Sequence, residues 1–499
     1  MPTTVTTPAP PSPPHHQTAA QDRVSTREKI GLGLGRMVAE GTHGSQYVLV
    51  NPVYNMQLGM NPALLSLIDF IKRFFDAMID PVLGQFSDNF RSRWGRRIPL
   101  LAAAIVPLAL CFGLLWWFPR GSSEMALFWH LLLVSLVFYS FHTLFAIPLN
   151  GLILEATDDY HERSRIVGVA MAFGFLVQIG SQWLPWLTYR EIFNDPVTGQ
   201  PDPINGLRWV AGGCMVFFVL AGLVPVWLCR ERNYHRVSHQ KSIPLVSSLR
   251  AVWHNRQFMT VLTSRFIFCF TYSVVGILSV YMNVYYVFGG DKAAGYGALR
   301  FVGSAYHICA LTASLFFFPW LVRKIGKKTA LQAAAGLLIV GCITKLFLYI
   351  PGQPWWQIIV LGFNGVANAG FTLIPTAMIA DLADEDELAT GLRREAVFGA
   401  LLSWFEKAGN SLGALLSGLL LGVIGFNAMS SGGVQSPRTL ELMKYTYFAL
   451  PAIGAVVALF LLHRYTLNEQ RAYQVKDALA RRRVQTPTGD LGLPAKQPL

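Results

Sequence analysis

Two carboxylates one helical turn apart, Asp76 and Asp80, stand in the stretch FFDAMIDPVLGQFSDNFRSRWGRRIP (74–99). Paired carboxylate oxygens at one depth can hold a hard cation, or take a proton where desolvation favours the neutral acid. Asp69, Arg73, Asp76 and Asp80 follow one another at i, i+4, i+7 and i+11. At about 100° per residue they share one stripe of a helix, with Lys72 at its flank. The surrounding residues are those of a membrane span, where an ionised side chain costs several kcal/mol, so the stripe must face the protein interior or a water-filled cavity. Pairing of Arg73 with Asp69 or Asp76 to hold helices together is the plainer use of these charges. Three acids against one or two bases nevertheless leave carboxylate charge for a proton or a cation to neutralise.

Other polar residues lie inside apolar runs and are functional candidates by the same cost argument. Lys407, in AVFGALLSWFEKAGNSLGALLSG, needs a carboxylate, and Glu40 is an isolated acid in GLGRMVAEGTHGSQY. His142, Gln178, Gln182, Asn364, Asn368 and Thr372 offer hydrogen bonds either to solute hydroxyls or to neighbouring helices. The cluster ADLADEDELATGLRRE (380–395) lacks the glycine turn and ligand order of a calcium loop. The six cysteines have no CxxC spacing, which argues against zinc or a disulfide framework. With no nucleophile motif and no nucleotide-binding loop, neither enzyme chemistry nor an organic cofactor is expected.

The elements that must carry these residues are membrane helices. Of 499 residues, 53% are hydrophobic and only 14% charged. Apolar runs of bilayer-crossing length predict twelve spans, at 30–56, 62–86, 98–118, 125–155, 165–187, 208–229, 257–288, 293–321, 329–350, 356–385, 395–425 and 442–466. Residues 1–29, rich in Pro and Thr without a basic n-region, read as a disordered tail rather than a cleavable signal. The polar stretches 230–256 and 467–499 read as a central loop and a second tail. Basic residues concentrate in alternate loops: Arg91, Arg93, Arg96 and Arg97; Arg230, Arg232, Arg236 and Lys241; Arg323, Lys324, Lys327 and Lys328. The intervening loops QLGMNP (57–62) and PGQPWW (351–356) have none, which places both termini in the cytoplasm. The net charge of +13 is thus an orientation signal, and no nucleic-acid partner is expected. RWGRRIPLLAAA (93–104) echoes KIGKKTALQAAA (324–335) at an offset of 326 − 95 = 231, each in the loop between the second and third spans of a six-span half. Parallel six-helix halves (30–229 and 257–466) with a site between them define an all-α polytopic protein of the major facilitator fold.

The segment DAMIDPVLGQFSDNFRSRWGRRIP, together with IADLADEDELATGLRREAVFGALLSWFEKAGNSLGALLSGLLLGVIGF (379–426), resembles the glycoside–pentoside–hexuronide cation symporter family over about residues 30–466. The shared motifs are D-x-x-x-D-P followed by R-S-R-W-G, then D-x-x-D-x-x-E, R-x-E and a lysine in fixed order. The resemblance implies that Asp76, Asp80, Thr143 and Lys407 form the coupling-cation site, with Lys407 also touching the solute. It implies that Glu40 binds sugar, and that Arg163, Asp381, Asp384, Glu387 and Arg393 form a cytoplasmic gate of ion pairs between the halves. Departures from the family's melibiose carriers are as informative. An asparagine that helps bind sodium is Ile79 here, which removes a hard oxygen ligand and weakens the case for sodium. Sugar-site residues become Ala146, Asn150, Met171 and Thr372, so a solute other than melibiose is expected. Arg73, Asn150, Gln178, Asn368 and Thr372 are the further solute-binding candidates.

The expected activity is symport of a sugar, glycoside or related organic solute with H+ or Na+, by a monomer in the plasma membrane, the inner membrane of a bacterium. A lysolipid or other amphipathic cargo is the alternative, and a membrane-embedded sensor or enzyme a more distant one. Beyond Na+ at Asp76 and Asp80, no metal is expected.

Overall fold

The computed structural model describes residues 23–157, 159–196, 199–231, 255–390, 395–426, 435–467 and 469–485. Among these every regular element is a helix. The first six long helices are α1 (Thr26–Val50), α2 (Pro62–Asn89), α3 (Ile98–Leu114), α4 (Glu124–Glu155), α5 (Tyr160–Ser181) and α6 (Pro203–Leu228). The second six are α7 (Arg256–Tyr281), α8 (Lys292–Thr312), α9 (Phe318–Leu348), α10 (Gln357–Thr390), α11 (Glu395–Ile424) and α12 (Pro437–His463). A thirteenth, α13 (Glu469–Gln485), follows them and packs on α10 through an Arg471–Glu385 pair at 2.9 Å. Its polar composition gave the sequence no membrane span there to report, and none is required.

Helix starts follow from side-chain caps. Ser25, Asn61, Ser123, Asp159, Asn255, Asp291 and Ser436 each accept an N–H from the first turn they precede, satisfying a donor the helix leaves free. Among the described residues eight helical stretches are long and apolar enough to cross a membrane, Lys292–Leu348 counting as one although it turns in the middle. Polar and small residues keep α1 out of that set, charge keeps α2 out, and α3 is short; α2 is the helix with the acidic stripe.

The internal repeat is visible in the backbone. Gly95 (φ +106°) and Gly326 (φ +78°), the two glycines aligned by the 231-residue offset, both adopt the left-handed region that favours glycine. Gly326 breaks the long helical stretch and so divides span eight from span nine. Wide π-helical turns begin at Asn51 after α1 and at Met282 after α7, again 282 − 51 = 231 apart. Glu231, beyond the end of α6, accepts the backbone N–H groups of Arg96, Arg97 and Ile98 at 2.6–2.9 Å. A carboxylate there meets the positive end of α3 and pins the RSRWGRR loop to the end of the first half.

Packing repeats in the same way. Contacts α1·α5, α1·α6, α2·α4, α3·α4 and α3·α6 have counterparts in α7·α11, α7·α12, α8·α10, α9·α10 and α9·α12. Across the halves α2 packs on α11 and α8 on α5. One apolar core fills the first half and two fill the second. At the end of the bundle remote from Thr26 and His463 the halves are joined by polar contacts. Tyr281 donates to Asn55 Oδ1 at 2.8 Å, Trp183 Nε1 donates to Ser304 Oγ at 3.1 Å, and Lys292 donates to the Met56 carbonyl.

Small residues set how closely α11 approaches its neighbours. A Cβ on Gly413 would fall 2.3 Å from the Phe270 carbonyl of α7, and one on Gly418 would fall 2.5 Å from the Pro62 carbonyl of α2. Backbone cannot yield as a side-chain tip does, so overpacking costs about 1–3 kcal/mol. Gly413→Val is expected to lower the melting temperature of the purified protein, while Gly422→Ala, where an added Cβ meets nothing within 4 Å, leaves it unchanged. Equal melting temperatures for the two variants would refute this account of the α7–α11 contact.

Candidate functional site

The site is assembled where α2, α4 and α11 meet near the middle of α2. Lys407 of α11 donates to Asp76 Oδ2 at 2.7 Å and also to Asp80 Oδ2. From α4 the buried Thr143 hydroxyl lies 3.0 Å from Asp76 Oδ1 and 3.4 Å from Asp80 Oδ1. One hydroxyl proton serves one acceptor, so Asp76 holds the better bond and Asp80 the weaker. Each carboxylate thus turns one oxygen to Thr143 and the other to Lys407. Four carboxylate oxygens and a hydroxyl are gathered in one place, a donor set suited to a proton or a hard monovalent cation. Ile79 brings no polar atom to it.

The remaining stripe is balanced within its own helix. Asp69 and Lys72, both buried, pair with each other. Arg73 has its Nε buried without a hydrogen-bond partner and lies within electrostatic reach of Asp69 and Asp76. Asp69, Asp76 and Asp80 are therefore matched by Lys72, Arg73 and Lys407. The surplus of acid read from α2 alone is met by a lysine from the other half. An entering cation would have to take the place of the Lys407 ammonium, since no uncompensated carboxylate awaits it.

Beside the stripe, Arg36 bridges Glu40 at 2.7 Å and Asn150 Oδ1 at 2.9 Å. Gln178 Nε2 reaches the Glu40 carbonyl at 3.5 Å, and its amide lies against Gly44. Glu40, Asn150 and Gln178 thus form one polar wall from α1, α4 and α5. Thr372, exposed, and Asn368, partly buried, lie one turn apart on α10 of the other half. His142 Nε2 bonds the Ala39 carbonyl at 3.0 Å, which satisfies that ring nitrogen between α4 and α1.

Two of the residues expected to form the gate have partners in their own halves. Arg163 donates to the Thr157 carbonyl at 3.0 Å, and Lys327 donates to Asp381. Asp384 and Glu387 are partly buried on α10 beside Asp381, while Arg393 lies outside the described residues.

Two residues escaped the sequence reading of the site. Arg265 of α7, buried, donates to the Phe371 carbonyl at 2.7 Å and pairs with Glu406 at 2.8 Å. Glu406 precedes Lys407, so this pair fixes the rotation of α11 that aims Lys407 at α2. Arg36, which ties Glu40 to Asn150, is the other. Both are charges inside apolar runs, TSRFIF and GLGRMV, and that alone was the available signal.

Twelve membrane helices in two pseudo-symmetric halves, with a polar centre between them, define a secondary transporter of the major facilitator fold. The profile of the family described as MFS/sugar transport protein matches residues 33–469, and the chain belongs to that family. It is 24% identical to an isoprimeverose transporter of Lactiplantibacillus pentosus over 83% of each chain. It is 22% identical to a sodium-dependent lysophosphatidylcholine symporter of Gallus gallus, over 92% of this chain and 90% of that one. Among solved structures, that of a D-xylose-proton symporter superposes with a TM-score of 0.60 at 14% identity, over 87% of this chain and 95% of that chain.

Proposed function

We propose that the protein couples entry of H+ or Na+ to uptake of a sugar, glycoside or related organic solute by alternating access. The observation that carries this reading is Lys407 of the second half holding both aspartates of the first. A cation bound by Asp76, Asp80 and Thr143 displaces the ammonium. Lys407 is then released toward the solute, together with Arg73 and the Glu40–Asn150–Gln178 wall on one side and Asn368 and Thr372 on the other. Binding of each ligand thereby favours the other, which is what coupling requires. With both termini cytoplasmic, the contacts Tyr281–Asn55 and Trp183–Ser304 close the outer end, and the solute path opens inward. When the halves rock to open outward, Arg163, Asp381, Asp384, Glu387 and Arg393 form the ion pairs that close the cytoplasmic gate. The stretches 1–29, 230–256 and 467–499 lie on the cytoplasmic side, although the disordered tail expected over 1–29 already gives way to α1 at Thr26 and the second tail carries α13; the protein acts as a monomer in the plasma membrane, the inner membrane if the source is bacterial.

A lysolipid cargo is the second reading, favoured by the exposed apolar Met171 and by the lysophosphatidylcholine symporter among the relatives. Uptake into membrane vesicles of a glycoside panel and of lysophosphatidylcholine, with and without a sodium gradient at several pH values, separates the two. Gradient-dependent accumulation of a glycoside is the expected result. Accumulation of the lysolipid alone would replace the cargo, and accumulation of neither would remove the transport reading.

A further inference from the structure

A mainly apolar cavity of about 200 Å³ lies between the halves on the closed side of the Lys407 site and is walled mostly by the second half. Lys345 of α9 lines it, 3% exposed, with Nζ 3.3 Å from the Tyr447 carbonyl and 3.9 Å from the centre of the Tyr447 ring. Among the described residues no carboxylate pairs with this lysine, and no acid lines the cavity. Every charge of the α2 stripe has a counter-charge, and Arg265 has Glu406; Lys345 has only a carbonyl and a ring. A buried ammonium without an acid is costly at this depth. Asn364, 4% exposed, faces the same cavity; its Oδ1 is buried without a partner against Gly341, which leaves its NH2 group to donate. The wall also includes Tyr47, Tyr272 and Tyr306, the last two joined through their hydroxyls, and the polar side chains of Gln182 and His307. Tyr47 also lies within electrostatic reach of Arg73 and Asp69, so the cavity adjoins the stripe.

We propose that this cavity is the subsite for the non-sugar end of the solute, and that it takes a flat, apolar or aromatic group bearing one carboxylate, held by Lys345 and Asn364. This deepens the transport reading and rests on it. One cation and neutral donors match a monoanion better than a doubly charged phosphate. The tyrosine faces suit a ring rather than a polyhydroxylated sugar, whose hydroxyls are served by the Glu40–Asn150–Gln178 wall.

The test is binding to the purified protein of phenyl β-D-glucopyranoside, of its 4-carboxyphenyl counterpart and of benzoate, with wild type, Lys345→Gln and Lys345→Arg. The carboxylated glucoside is expected to bind the wild type at least tenfold more tightly than the neutral one. Lys345→Gln erases that preference, and Lys345→Arg retains at least half of it on a logarithmic scale. Equal affinities in the wild type, or a preference that survives Lys345→Gln, overturn the proposal. Benzoate bound as tightly as the carboxylated glucoside makes the cavity a free-anion site and overturns its place in the solute path. Cation-driven uptake of the neutral glucoside without carboxylate preference would sink this inference and leave transport standing. Lys345-dependent binding in protein that accumulates neither glucoside would do the reverse.

Discussion

Asp80→Asn is expected to abolish accumulation of solute against its gradient while leaving downhill exchange intact. The amide keeps the size of the carboxylate and one oxygen near Thr143, so the fold has no cause to change. It removes the charge that a cation needs and that Lys407 partly balances. A tenfold cation gradient is worth about 1.4 kcal/mol, and this variant cannot collect it. Solute should therefore stop at equal concentrations on the two sides. Counterflow, which needs the solute site and the rocking motion but no ion gradient, is predicted to persist. A variant that inserts correctly and still accumulates solute to the wild-type level would remove Asp80 from coupling.

Lys407→Gln has the second large effect, and of a different kind. It takes away the internal cation that ties α11 to α2, leaving Asp76 and Asp80 as near neighbours without their balancing charge. Removing one member of a buried pair costs about 3–5 kcal/mol, less here because Lys407 and Asp80 are partly exposed. Two consequences follow for the purified variant. Its thermal stability falls in cation-free buffer at neutral pH and is restored by adding the coupling ion or lowering the pH, either of which supplies the missing charge. Its affinity for that ion rises at least tenfold, since the ion no longer displaces a lysine, yet coupled accumulation is lost. An affinity lower than that of the wild type would show that Lys407 helps to bind the cation rather than competing with it. The double variant Asp76→Asn with Lys407→Gln should recover much of the stability and none of the accumulation, because one charge of each sign has been withdrawn.

Most of this architecture was legible in the sequence because the bilayer imposes one length and one composition on every crossing. Hydropathy located α4, α6, α7 and α12, and the repeat at Gly95 and Gly326 announced two halves before the backbone showed the shared positive φ. The acidic stripe was also legible, since helical periodicity alone puts Asp69, Arg73, Asp76 and Asp80 on one side. Its charge balance was legible in part: a lysine inside an apolar run needs a carboxylate, and the family resemblance put Lys407 with Asp76 and Asp80. Lys407 is 327 residues beyond Asp80, and the geometry of that pairing depends on the packing of α11 on α2. The same limit hid Arg265, whose partner Glu406 is fixed by the close approach of α7 and α11 at Gly409 and Gly413. Lys345 was overlooked for the opposite reason. It forms no ion pair that a pattern of opposite charges could reveal, and its isolation is apparent only once the cavity around it is seen.

In the proposed coupling an entering cation and Lys407 compete for Asp76 and Asp80, and this exchange drives solute uptake. Its most direct measurement is accumulation of a transported glycoside in proteoliposomes with the membrane potential clamped, under a sodium gradient alone and under a pH gradient alone. Accumulation above equilibrium is expected under at least one of the two, collapsing to equilibrium in Asp80→Asn. Equilibration without accumulation under both gradients in the wild type would contradict it.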